Sequence, residues 1–229
     1  MDQSTLVSFA LAFPALLFSL VAHEVAHAYA ALKQGDTTAR DLGRITLNPV
    51  RHIDPVMTIL VPLMLFISSG GRFWFGGAKP VPVVPRNYRN FKRGDIIVSL
   101  AGVATNLVLA FVFAAVAALV GLALRASAGS GASEWVTTVL AMLRTGIYVN
   151  LGLCAFNLIP IPPLDGSHVF KYLLPPAWQQ QYVALGRMGF IVLIVMLWVA
   201  RPLISAWMAP AYMLGSWLDA FVVRATMGG

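Results

Sequence analysis

The chain has 229 residues, of which 59% are hydrophobic and only 11% charged, and its mean hydropathy is +0.77. A water-soluble domain needs roughly 25% charged residues to cover its surface, so this composition excludes a soluble enzyme or a disordered chain and points to a membrane protein. The net charge of +7 and the single cysteine, Cys154, also exclude: the basic residues are not interleaved with any nucleic-acid recognition motif, and one thiol forms neither an internal disulfide nor a thiolate metal site.

In chain order, the first apolar stretch runs from Leu6 to Leu32. Met1 to Thr5 carries no basic residue and no small-residue cleavage site follows, so this is a retained membrane helix rather than a signal peptide. Lys33 to Asp95 is the only part with soluble-looking chemistry. It reads as turns and short extended pieces, Arg44–Asn48 and Lys79–Pro85, and the alternate prolines confine the second to an edge strand at most. Val56 to Ser69 is apolar but short and carries Pro62, a length that suits a re-entrant or tilted segment as well as a span; it should be re-entrant or interfacial if the ends of the first helix and of the later span near Ile161 are to reach one membrane face. Ile96 to Leu124 is an uncharged span, and Trp135 to Ile161 is a second one with Arg144 inside. Gly189 to Val223 is interrupted by Arg201-Pro202 and Pro210 and gives one span or two. The expected fold is an α-helical polytopic membrane protein of about four to six transmembrane helices, with short β-strands between the first two core helices. It is one domain over 1–229, with a catalytic core over about 6–172 and C-terminal helices over about 187–224.

The first helix contains His23-Glu24-Val25-Ala26-His27. Imidazoles at i and i+4 share a helical face and can reach one zinc ion, with the intervening glutamate beside them as a candidate general base. Three ionisable groups in an otherwise uncharged membrane helix each carry a desolvation cost of roughly 2–3 kcal/mol or more, so they are functional by default. For a third ligand, the only other glutamate is Glu134, in a polar bend, and Ala30 and Lys33 stand where an extended HExxHxxGxxH motif needs Gly and His. That leaves Asp165, His168, His52 and Asp54. Asp165 ends the run Asn157-Leu158-Ile159-Pro160-Ile161-Pro162-Pro163-Leu164-Asp165-Gly166, whose prolines break a membrane helix. Broken backbone is tolerated at that depth only where it lines a buried or wet cavity. A helix ending at the surface would look similar but would not explain Asn157. His52 reads as a loop or interface residue and His168 as a neighbour of the site. Asn106 and Asn150 read as helix-packing groups, Asn150 being also a weak site candidate.

The two motifs, HEVAH on an early membrane helix and NLIPIPPLDG at the end of a later one, resemble those of the site-2 protease family of intramembrane zinc metalloproteases. The likeness is to compact bacterial members without added PDZ or CBS domains, and it covers about Leu16 to Tyr172. Ala101-Gly102-Val103-Ala104-Thr105-Asn106 resembles the family's Gly-x-x-x-Asn stretch, with Val103 where Pro is common. Gly77 to Pro85 is similar too, with Gly77 and Val84 in place of Trp and Asn. The resemblance implies that His23, His27 and Asp165 hold Zn2+, that Glu24 is the base, and that Asn157 positions the scissile carbonyl or its oxyanion. A strand edge would receive the unwound substrate, placing Asn48, Lys79 and Val81, with Asn106, among its contacts. The implied partners are a transmembrane protein substrate and the lipid bilayer, not nucleic acid. A metal or proton transporter could use the same His, Glu and Asp groups, but no internal repeat is present. A zinc peptidase of surface peptides is a third possibility, disfavoured by the lack of a soluble binding domain.

Charge sets the orientation. Lys33 to Asp95 holds 10 of the 16 Lys and Arg residues, whereas the opposite side has an N-terminus without any and a 125–134 bend with Arg125 alone. By the positive-inside rule the large segment is cytoplasmic, which places the zinc towards the cytoplasmic face of what should be a bacterial inner membrane. The basic segment also favours anionic lipid headgroups.

Overall fold

In lipid a backbone must pair its own N–H and C=O groups, and the long apolar stretches do so as helices. The computed structural model describes residues 3–68, 70, 76–126 and 134–227. The helices are α1 (Gln3–Gln34), α2 (Thr38–Asp41), α3 (Val61–Ser68, entered by a π-helical stretch Pro55–Leu60), α4 (Phe91–Ala126), α5 (Glu134–Asn157), α6 (Asp165–Phe170), α7 (Pro176–Leu185), α8 (Gly189–Val199) and α9 (Arg201–Met227). Phe9–Gln34, α4 and α5 are long and apolar enough to cross a membrane, and Pro176–Met188 with Ile191–Leu197 makes a fourth span if that bent pair is one. Among the described residues the count therefore sits at or below the low end of the expected range. Most of the bend between α4 and α5 (127–133), and Ser69, lie outside the described residues.

α4 is the central helix. Gly94, Val98, Gly102, Asn106, Ala110, Ala114 and Ala118, one residue in four, are all buried along it. Small side chains at this spacing let neighbouring backbones approach closely, which is how helices associate without a hydrophobic drive between them. Ala110, Ala114, Ala117 and Ala118 pack with Ile147 and Leu151 of α5 and Val222 of α9. Arg144 of α5 forms a two-pronged, partly exposed pair with Asp219 of α9 (2.5 and 2.7 Å), which satisfies both charges. The outside is correspondingly apolar: Val108, Phe111, Val112 and Leu119 of α4 are all exposed.

Contacts fix the directions. Asn106 meets His23 while Val98 meets His27, so α4 runs antiparallel to α1. Asn106 meets Asn150, and Gly146 lies against Phe113, so α5 is antiparallel to α4 as well. The C-terminal ends of α1 and α5 therefore share one end of the bundle, where HEVAH and Asp165 can meet.

The segment between α1 and α4 departs from expectation. No β-strand forms among the described residues. The prolines are the physical reason: Pro80, Pro82 and Pro85 offer no N–H, and those of Lys79, Val81 and Val84 are taken individually rather than in a ladder. Lys79 N–H goes to His52 O (2.7 Å), Val81 N–H to Glu24 Oε2 (2.7 Å) and Val84 N–H to Asp36 Oδ2 (2.6 Å). The two extended pieces are joined by a side chain, Arg44 Nη2 donating to Lys79 O (2.9 Å). The described ends of the apolar run within this segment make separate contacts. Phe66 stacks on Phe9 near the start of α1 at 4.5 Å, yet Gly77 N–H returns to Met57 O (3.0 Å) and Thr58 Oγ1 donates to Gly77 O (2.7 Å). At ~1.5 Å per residue Pro55–Ser68 is also too short, at about 21 Å, for a ~30 Å bilayer core.

Asp36 anchors the return. Only 1% exposed, its carboxylate accepts from Thr38 N and Oγ1, Val84 N and Asn87 Nδ2 at 2.6–3.2 Å. Burial alone would raise its pKa, but the donors from Thr38, Val84 and Asn87 prevail and hold it below the usual carboxylate range. Asp36→Ala should therefore cost about 1–3 kcal/mol, read as a lower unfolding midpoint in detergent. The lowered pKa means that this contribution is complete above the ordinary carboxylate range and is lost as pH falls through the folded value. The gap between wild type and variant should therefore close in acid.

Candidate metal centre

α1 places His23 and His27 one turn apart on the face turned to α4, where they are 6% and 8% exposed. Each ring is held by its Nδ1. That of His27 donates to the carbonyl of Val98 (2.7 Å), and that of His23 to Asn106 Oδ1 (2.6 Å). A carbonyl oxygen can only accept, so in a neutral ring the proton stands on Nδ1 and Nε2 carries a lone pair. The two Nε2 atoms face each other at 2.9 Å. Asp165 Oδ2 lies 3.2 Å from one and 3.3 Å from the other, buried and without a hydrogen-bond partner. Three electron-pair donors so close repel unless a cation lies among them. A proton bridges only two of them, whereas a tetrahedral zinc with bonds of about 2.0–2.1 Å sets its ligand atoms about 3.3–3.4 Å apart. Among the described residues this is the only group of three or more His, Cys, Asp or Glu side chains close enough to hold a metal.

Asp165 reaches the site because the chain folds back after α5. The helix ends at Asn157, the proline-rich turn follows, and Asp165 opens α6. Gly166 is needed at the closure, since a Cβ there would run into the Leu158 carbonyl. The far side of α6 is clamped to α4 by Asp95, which is buried and receives Lys171 Nζ (2.6 Å), Tyr172 OH (2.8 Å) and His168 Nδ1 (3.1 Å). The sequence alone did not single out Asp95 or Lys171, because nothing in it pairs residues more than 70 positions apart.

Gly102 is the residue that lets α4 pass the imidazoles: a Cβ there would sit 2.5 Å from His27 Nε2 and 2.6 Å from His23 Cε1. Glu24 stands beside the pair with Oε2 on Val81 N–H. Asn157 is half-buried at the end of α5 and donates from Nδ2 to Leu153 O (3.0 Å). Asn48 and Lys79 are exposed, the former capping the turn Pro49–Arg51 through Val50 N–H, and Val81 is buried. Asn106, expected among substrate contacts, is instead fully buried beneath His23. The remaining third-ligand candidates are engaged elsewhere. Asp54 caps the π-helical stretch through Val56 and Met57 N–H. His52 is buried on Thr46 O, where burial pushes its pKa down.

Residues 11–198 match the family model described as Peptidase family M50. The chain belongs to that family. It is 37% identical over 184 residues to "Putative zinc metalloprotease YwhC" of Bacillus subtilis (strain 168), covering 79% of this chain and 77% of the relative. It is 32% identical over 199 residues to "Putative zinc metalloprotease Rip2" of Mycolicibacterium smegmatis, covering 87% and 70%. Rip2 of Mycobacterium tuberculosis (strain H37Rv) is 31% identical over 195 residues, covering 83% and 67%. No solved structure matches the chain. The protein is a zinc metalloprotease of the site-2 protease family, built from membrane helices.

Because α4 and the imidazoles share the space a methyl group would need, Gly102→Ala should lower zinc affinity by roughly 10-fold or more, a loss on the scale seen when ligand-supporting groups are removed. The helical circular dichroism should stay that of wild type. Equimolar zinc held with wild-type affinity would show that the close approach is unnecessary.

Proposed function

We propose that this protein is an intramembrane endopeptidase that cuts transmembrane segments of other membrane proteins near the cytoplasmic face of a bacterial inner membrane. The observation that carries this reading is a buried set of three electron-pair donors inside a bundle whose outer surface is apolar. A site so placed is reached through lipid more readily than through water. The charge asymmetry of Lys33 to Asp95 supports the orientation.

In this reading His23, His27 and Asp165 would hold zinc, three protein ligands being the number a catalytic zinc site uses. Bound zinc supplies Lewis acidity and makes water ionisable near neutral pH. Glu24 takes a proton from the attacking water at its carboxylate and returns it to the amide nitrogen as the peptide bond breaks. The Val81 N–H keeps the Glu24 carboxylate turned towards the site in the meantime. Asn157 exchanges its bond to Leu153 O for one to the developing oxyanion, a donor aimed where charge appears. A helical substrate shields its own carbonyls, so it must unwind first. Asn48, Lys79 and Val81 are the candidate contacts for the extended piece. The segment 79–84 has already committed its N–H groups at Lys79, Val81 and Val84, so the substrate would meet its carbonyls, its side chains and the Val83 N–H.

Glu24→Gln removes the proton acceptor without removing a ligand. In proteoliposomes containing a membrane protein that the wild type cuts, the variant should keep its zinc while cleavage falls by about 10²–10⁴-fold. Turnover within tenfold of wild type would refute the role given to Glu24.

A further inference from the structure

We propose that Asn106, oriented by Asn150 and Ser19, is a positioning residue that fixes the tautomer of His23 so that Nε2 faces the metal. The inference rests on the assignment of His23 as a ligand and deepens it.

The two imidazoles are held differently. His27 leans on a backbone carbonyl, Val98 O, which can only accept. His23 leans on a carboxamide, whose two ends are an acceptor and a donor of almost the same shape. An amide turned over would face His23 with Nδ2, forcing the ring to accept at Nδ1 and carry its proton on Nε2, where the metal should be. Something must therefore set the amide's direction.

That direction can be followed from one end. The Ala15 carbonyl accepts from Ser19 Oγ (2.6 Å), so the Ser19 proton is committed and Oγ is left as an acceptor. Asn150 Nδ2 donates to Ser19 Oγ (2.8 Å) and to the Gly146 carbonyl (2.9 Å), which uses both of its hydrogens and turns Oδ1 towards α4. Asn106 Nδ2 donates to Asn150 Oδ1 (3.0 Å) and weakly to the Ser19 carbonyl (3.4 Å). Only Oδ1 of Asn106 is then left to face His23, at 2.6 Å. Two carbonyls that cannot donate, Ala15 O and Gly146 O, thus dictate the sense of every later bond. Ser19, Asn106 and Asn150 are all 0% exposed, so water cannot substitute for a missing partner. The relay joins α1, α4 and α5 through fully buried polar groups. This placement suggests that the polar groups serve the ligand rather than the fold.

The test measures zinc affinity by chelator competition on the purified full chain in detergent, together with the 15N signals of histidine-labelled, zinc-free protein at fixed pH. Wild type should show His23 with its proton on Nδ1. Asn106→Leu should weaken zinc roughly 10–100-fold and move His23 towards a mixture of tautomers. Asn106→Asp keeps an acceptor for His23 but sets a second acceptor against Asn150 Oδ1 and Ser19 O, so it should bind zinc more weakly than wild type and more tightly than Asn106→Leu. Should Asn106→Leu not fold, Asn106→Ser, too short to reach His23, takes its place with the same expectation. Asn150→Leu should fall between Asn106→Leu and wild type, because Asn106 keeps only its weak bond to Ser19. Wild-type affinity and an unchanged His23 signal in Asn106→Leu or Asn106→Ser would overturn the proposal. So would an Asn106→Asp variant as weak as Asn106→Leu. A wild type that binds no zinc would instead overturn the ligand assignment on which it rests.

Discussion

Two imidazole lone pairs and a carboxylate oxygen, brought within 3.3 Å of one another in the interior of a helix bundle, are the constraint to which the rest of this structure answers. Left to themselves these groups repel, and each carries a desolvation cost in a low-dielectric setting. They stay together because neighbouring elements leave them no other arrangement. α4 supplies the Val98 carbonyl and the Asn106 amide that hold both rings by Nδ1, and at Gly102 it supplies the gap into which the rings fit. The cluster is assembled by helix packing, and in the proposed assignment zinc is the partner that would make the assembly favourable.

Asp165 comes from the other end of the chain, and its placement shows how a short broken segment can be made rigid. The proline-rich turn after α5 cannot be held by helical hydrogen bonds, so it is fixed at both sides. Gly166 allows α6 to close against the Leu158 carbonyl, and Asp95 of α4 gathers Lys171, Tyr172 and His168. One helix, α4, thus carries the supports of all three proposed ligands. The small residues along the rest of α4 then serve to dock α5 and α9, and the Arg144–Asp219 pair satisfies the charges that those two helices bring together.

What the sequence disclosed follows from the range over which its rules act. His23 and His27 were legible because helical periodicity alone puts i and i+4 on one face. The run after Pro55 was legible as a short apolar segment, but its length alone suited a re-entrant or tilted piece as well as a span, and the re-entrant reading came from requiring HEVAH and Asp165 to reach one membrane face. Asp165 could be narrowed only to one of four candidates from residue chemistry, and the likeness of its motif to the site-2 proteases singled it out. The short strands were a misreading of a pattern whose prolines offered a warning. Extended backbone was read correctly, but Pro80, Pro82 and Pro85 left too few donors for a ladder, and the side chains of Glu24 and Asp36 took the ones at Val81 and Val84. Partners far apart in sequence, such as Asp95 with Lys171 or Asn106 with Asn150, leave no local trace. A Gly-x-x-x-Asn stretch was visible in α4, but what Gly102 and Asn106 touch could be seen only in three dimensions.

The central claim is the composition of the metal centre, and X-ray absorption at the zinc edge of the purified protein examines it without reference to any substrate. The account predicts a four-coordinate shell made only of nitrogen and oxygen at about 2.0–2.2 Å, with the outer-shell scattering of two imidazoles. Scattering from three imidazoles would bring His52 or His168 into the shell, and a sulfur at about 2.3 Å would bring in Cys154; either result would contradict it.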